Sequence, residues 1–233
     1  MKLSSRPPRM PSTLPDSLHH RLTMYVLAAG ATAVGIVMSV ESAGAKVIYT
    51  PADKCLPLNH NSWLDLNHDG VNDFYFYLRS SHGFRSSWFV RELFAASPGS
   101  QSVNGVYCVG TNCNAAAALR KGAKVGPNSP FARSPFMFWK VHSSEHSSQN
   151  TSIGRWRHVT QGYLGLRFVI KGQFHYGWAR LGPTSDNKPP KAKLTGYAYE
   201  TTPNKPIVTG RTEGPDVIAV QPASLGRFAK GRK

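Results

Sequence analysis

The densest run of chemically capable side chains is Asp65-Leu66-Asn67-His68-Asp69-Gly70-Val71-Asn72-Asp73. Oxygen-bearing residues stand at its first, third, fifth and ninth positions, with glycine at the sixth. Calcium takes six to eight hard oxygen ligands, and alternate residues of a curled loop aim theirs at one point. The spacing nominates Asp65, Asn67, Asp69 and Asp73 as side-chain ligands for calcium, with Val71 supplying its backbone carbonyl. At the twelfth position a helix-loop-helix calcium hand carries a bidentate Glu, and here stands Phe76. Phe74 to Leu78 alternates as a strand instead, so the expected site is a loop-to-strand one with a structural ion. The competing reading is an Asx-rich turn that needs no metal.

Other reactive residues are sparser. His142-Ser143-Ser144-Glu145-His146 has the H-x-x-E-H order of a zinc peptidase, which needs both histidines on one helical face. The surrounding Ser, Gln and Asn residues favour a polar loop over a helix, so no catalytic role is assigned to it. Glu92, Glu145 and Glu200 are nominal acids without an evident partner, and His175 reads as a satisfied core histidine. No G-x-S-x-G, P-loop or G-x-G-x-x-G pattern occurs, and no enzyme activity is expected. Cys108 and Cys113 bound the short segment CVGTNC and are expected to form a disulfide, leaving Cys55 unpaired. A zinc site built on C-x4-C lacks its second pair.

These groups must be positioned by strands. Short alternating or apolar runs lie at 46–50, 73–79, 86–95, 104–109, 136–141, 163–171, 173–181, 191–200 and 206–209, between clusters of Gly, Pro, Asn and Ser. One short helix is expected at 114–120. Polar loops are expected at 142–152 and 182–190. The pattern predicts a mainly β protein, a single antiparallel β-sandwich.

One hairpin can be registered. With Lys171-Gly172 as a two-residue turn, Ile170 faces Gln173, Gly165 faces Trp178, Arg167 faces Tyr176 and Tyr163 faces Arg180. One face is then aliphatic: Leu164, Leu166, Phe168, Ile170, Ala179 and Leu181. The other carries Tyr163, Arg167, Tyr176, Trp178 and Arg180, a candidate ligand-binding platform for sugar rings if it stands open. The aliphatic face is assigned to the core.

The first 45 residues read as a secretory signal peptide. Lys2, Arg6, Arg9 and Arg21 precede the uncharged run Leu22–Val40, and Ala43-Gly44-Ala45 supplies an A-x-A cleavage site. An uncleaved anchor is the rival reading, and either way membrane contact is confined to this segment. No later run is apolar enough to span, which excludes a multi-span membrane protein. The expected layout is a signal peptide over 1–45, a sandwich domain over 46–210 and a basic, loosely structured tail over 211–233.

Of the 233 residues, 28 are Lys or Arg and 12 are Asp or Glu, a formal net charge of +16. Exported proteins seldom meet nucleic acid, so this charge points to anionic envelope polymers or glycans as partners, or to solubility alone.

The segments DLNHDGVNDF, GYLGLRF, HYGWARL and LTGYAYETTPNKPI resemble recurring stretches of uncharacterised exported bacterial β-proteins, a group often carrying PEP-CTERM-type anchors. The likeness covers the DxNxDG loop and about the last third of the chain. It departs in having no apolar anchor after Gly210. The resemblance implies a secreted, periplasmic or extracellular protein of the envelope or matrix and brings no activity with it. The expectation is therefore an exported non-enzymatic β-sandwich with a structural calcium loop. The alternative is a carbohydrate-binding module using the aromatic and Arg face. A secreted hydrolase stands further off.

Overall fold

A computed structural model describes residues 46–83, 88–99, 102–143 and 149–221. The strands are β1 (Val47–Cys55), β2 (Asn61–Leu64), β3 (Phe74–His82), β4 (Trp88–Ala96), β5 (Gly105–Val109), β6 (Ala115–Ala116), β7 (Lys124–Val125) and β8 (Phe131–Ala132). They continue as β9 (Phe136–Ser143), β10 (Gln149–Ile153), β11 (Gly162–Ile170), β12 (Gln173–Leu181), β13 (Lys193–Glu200), β14 (Ile207–Val208) and β15 (Val217–Ala219). A 3-10 turn over Thr111–Cys113 accompanies them. The fold is mainly β, as the alternating runs predict.

One hydrogen-bonded path runs β15-β1-β13-β12-β11-β5-β6-β9-β4-β3-β2, with β10 added beside β9 and β8 beside β5. β7 and β14 form a separate two-stranded sheet. Pairing is antiparallel except where β15 meets β1 and β6 meets β9. The path folds back on itself. Leu164, Leu166, Phe168, Ala179 and Leu181 from one half share a buried core with Phe74, Phe76, Leu78, Leu93 and Phe138 from the other. This is the sandwich-like layering expected when each half buries one face of its alternation.

The hairpin β11–β12 has the predicted register throughout, from Gly162 opposite Leu181 to Ile170 opposite Gln173. Lys171 and Gly172 both take positive φ, as a two-residue turn matched to the strand twist requires. Its aliphatic face lies in the core between the halves.

Three expectations need correction. No helix forms over 114–120: β6 pairs with β5 and Phe136, and Leu119 bridges Tyr163 in an extended run. Ala116 and Ala117 are buried there, so the small side chains let the chain pass close to its neighbours, and burial outweighs the helix propensity of alanine. The loop expected at 142–152 contributes the end of β9 and all of β10 but its last residue, Ile153. The tail is loose neither at Val217–Ala219, which pairs in parallel with Val47–Tyr49, nor at Arg211, which pairs with Asp216. The segment over 1–45 expected to be a signal peptide and residues 222–233 lie outside the described residues. Among the described residues no helix is long and apolar enough to cross a membrane.

Candidate functional site

The loop between β2 and β3 is held by its own acidic side chains. Asp65 accepts the His68 N–H at Oδ1 (2.7 Å) and the Gly70 N–H at Oδ2 (2.8 Å). Asp69 Oδ1 accepts the Val71 N–H at 2.8 Å, and Asn67 Nδ2 donates to Asp69 Oδ2 at 2.9 Å. Asn67 Oδ1 takes the Asp69 N–H at 3.4 Å. Asp73 is buried at the foot of the loop, where its Oδ2 accepts the Leu66 N–H at 2.8 Å. His68 and Gly70 take the positive φ that this tight winding demands.

Asp65, Asn67, Asp69 and Asp73 thus fold back on the loop backbone, a geometry built from successive Asx-type turns. Burial pushes the Asp73 carboxyl up to about 7, against the Leu66 N–H that favours its charge, and the Asp69 and Asp65 carboxylates push it in the same direction as burial. Each carboxylate oxygen that takes an N–H keeps a second lone pair. Among the described residues, no three His, Cys, Asp or Glu side chains form a group that would hold a metal by themselves. A cation here would need Asn67 and the Val71 carbonyl as well.

A cleft of about 380 Å³ adjoins this loop, lined among others by Trp63, Asp65, His68, Asn72 and Tyr197. His68 is anchored by a 2.8 Å hydrogen bond with Thr50 Oγ1 and lies 5.7 Å, centre to centre, from the Tyr197 ring. Trp63, 47% exposed, stands at the cleft with its ring 5.3 Å from that of Tyr75.

The aromatic and cationic face of β11–β12 is not an open platform. Tyr163, Tyr176 and Trp178 are buried in a second core with Val47, Val125, Ala198 and Ile207. Trp178 lies between Tyr49 and Tyr163, at 5.8 and 5.3 Å. Arg167 stacks over Phe131 and Phe174 and donates to the Val103 carbonyl at 3.2 Å. Arg180 spends its guanidinium on Thr195 and the Tyr49 hydroxyl. The physical reason is that both faces of this central hairpin are covered, one by the opposing half and the other by β7 and β14. Periodicity in two strands does not reveal a cover supplied by a distant segment.

Cys108 and Cys113 stand at disulfide distance, with Cα atoms 5.1 Å apart, and Cys55 is exposed and unpaired. His175 is a buried histidine whose Nδ1 lies 3.0 Å from the Glu200 carbonyl oxygen. Glu92 pairs with Arg79, and Glu200 with Lys205. Of the H-x-x-E-H segment, Glu145 and His146 lie outside the described residues, while His142 stacks on Phe89.

A second polar centre escaped the sequence reading. Asp186, in the 182–190 loop, is buried and receives Ser152 Oγ–H at 2.8 Å on Oδ2. Lys140 Nζ stands 3.8 Å from the same oxygen, and His158 Nε2 stands 2.9 Å from Oδ1. The histidine is within ion-pair reach but off the direction of a formed hydrogen bond, so Oδ1 has no hydrogen-bond partner. Arg157 donates to Ser152 Oγ at 2.9 Å. Serine, histidine and aspartate meet here, but both of the others face the aspartate, so this is no nucleophile–base pair. The signal for it was one acid in GPTSDNKPP, and a single acid predicts nothing until the fold supplies its partners.

No family model, curated protein or solved structure matches the chain.

Proposed function

We propose that the protein is an exported, non-enzymatic β-sandwich of the cell envelope or extracellular matrix, in which calcium ties the 65–73 loop. The observation that carries the reading is the winding of this loop. Asp65, Asn67 and Asp69 turn inward at alternate positions above the buried Asp73. Like charges held this closely repel, and a divalent cation would relieve them at little cost in rearrangement. The export half of the reading is supported by β1, which begins at Val47, two residues after the A-x-A site. Burial of Trp178 supports a structural use of the aromatic residues over a sugar platform on that hairpin.

The test is thermal melting in calcium and in chelator. Without a bidentate twelfth ligand the site is expected to be weak, on the order of 10⁻⁴–10⁻³ M. Calcium at about ten times the dissociation constant adds roughly 1.4 kcal/mol, a rise of about 2–6 °C in Tm. Magnesium should do less, since it demands a tighter octahedron and holds its waters. Asp69→Ala should abolish the response. Superimposable curves for the unmutated protein would leave the loop as an Asx-turn array that needs no metal.

A second reading has one observation in its favour: the exposed Trp63 at the cleft beside this loop, a ring on which a sugar face can stack. Retention on an insoluble glycan that is lost in Trp63→Ala would establish it.

A further inference from the structure

The described cationic groups around Asp186 outnumber the carboxylate they surround. Lys140 and His158 reach its side chain, Arg157 reaches it through Ser152, and Arg91 donates from Nη1 to its backbone carbonyl at 3.4 Å. Among the described residues Asp186 is the one acid in ion-pair contact with this group. Arg91, Lys140 and Arg157 alone set three positive charges against one negative charge, a local surplus of two.

Arg91 is the least satisfied member. It is only 7% exposed, and its guanidinium lies over the Phe89 ring at 4.0 Å. A guanidinium has five N–H donors. Here one makes a long bond to a carbonyl, and the Nε–H is buried without any partner. A buried donor left unpaired forfeits its solvation without return, and a charged group forfeits more. Lys140 Nζ is likewise beyond hydrogen-bond distance from Asp186, and its side chain remains 23% exposed. His158 is 56% exposed, so the cluster reaches solvent.

We propose that Arg91, Lys140, Arg157 and His158 form a binding site for a doubly charged phosphoryl group. A phosphate monoester carries about −1.5 to −2 at neutral pH and three acceptor oxygens, which matches both the surplus charge and the unused donors. A planar guanidinium beside an ammonium suits such an anion. Asp186 then serves to hold the cations in place, and its own charge keeps the site from binding every anion strongly. The site lies apart from the 65–73 loop and requires neither calcium nor export.

The experiment follows the Arg91 Nε–H resonance by ¹⁵N NMR while the purified protein is titrated with inorganic phosphate, methyl phosphate or acetate. Phosphate should shift this resonance saturably, with acetate at least about tenfold weaker, since it lacks one charge-assisted contact. Methyl phosphate binding as well as phosphate assigns an ester as the natural ligand; phosphate binding alone assigns the free anion. Lys140→Gln, at a part-exposed position, should keep the fold and weaken phosphate by about tenfold, and Lys140→Arg should restore it. The proposal is overturned by an Arg91 signal indifferent to phosphate, by equal affinity for acetate, or by unchanged affinity in a folded Lys140→Gln. Arg91→Gln should abolish phosphate binding, and should that variant fail to fold, the lysine pair still decides the question.

Discussion

Gly165 sits in β11 directly opposite Trp178, and the obvious expectation is that a side chain there would strike the indole. The geometry gives a different collision. A Cβ at Gly165 would lie 2.9 Å from Tyr107 Cβ and 2.9 Å from Val125 Cγ2, with Tyr107 Cδ2 at 3.2 Å. The first of these atoms is held directly by the β5 backbone and cannot swing aside. Two of the three contacts are closer than carbon atoms tolerate, so β5 or β7 must move away from the hairpin. Overpacking of this kind costs about 1–3 kcal/mol for Gly165→Ala, and Gly165→Val adds two further methyl groups in the same space. For a domain of this size each kcal/mol lowers Tm by roughly 2–4 °C, so the alanine variant should lose about 2–12 °C. Differential scanning calorimetry reads the loss, and near-ultraviolet circular dichroism reports whether Trp178 keeps its asymmetric surroundings. An alanine variant melting with the parent would mean that β5 and β7 do not close over this face. The burial of Tyr163, Tyr176 and Trp178 argued from that closure would fall with it.

Asp186 should shape the acid limb of stability. Burial alone would raise its pKa, but the Ser152 hydrogen bond and the charges of Lys140, His158 and Arg157 outweigh it and hold the value below the usual 3.8. The folded state therefore favours the carboxylate: its contribution is complete above pH 3.8 and is lost as pH falls through the lower folded value. Asp186→Asn should flatten that limb in a series of melts from neutral to acid pH, and an unchanged slope would refute it. Non-reducing peptide mapping should recover a Cys108–Cys113 peptide with Cys55 alkylated, and reduction should cost roughly 2 kcal/mol through the short loop released. A linkage that includes Cys55 would overturn the pairing. Under the export proposed above, the intact mass of the mature product should correspond to a chain beginning at Lys46, whereas a full-length product retained in the membrane would establish an uncleaved anchor.

Local pattern was legible where a segment's neighbours are also its neighbours in sequence. The β11–β12 register followed from a two-residue turn, and β3, β4 and β13 from runs whose alternation matches their burial. The reading failed where the partner is remote. Ala115–Ala118 has the composition of a helix, yet it is drawn out beside Tyr107 and Phe136, on either side of it in the chain, and its own composition shows neither contact. Val217–Ala219 is too short to show alternation and becomes a strand only because β1 offers it an edge.

The two polar centres divide along the same line. The 65–73 loop could be found from sequence because the hydrogen bonds its acidic and Asn67 side chains make join residues within seven positions of each other. Asp186 draws on Arg91, Lys140, Ser152 and His158, the farthest of them 95 residues away. A local cluster of acids explains its own geometry, since the backbone N–H groups beside it are sufficient partners. A buried acid ringed by cations from three separate segments does not, because each segment must be brought there and Arg91 gives up solvent without gaining a full set of acceptors. That uncompensated desolvation is the reason the Asp186 centre, and not the better-advertised loop, is where an unidentified ligand has the most to add.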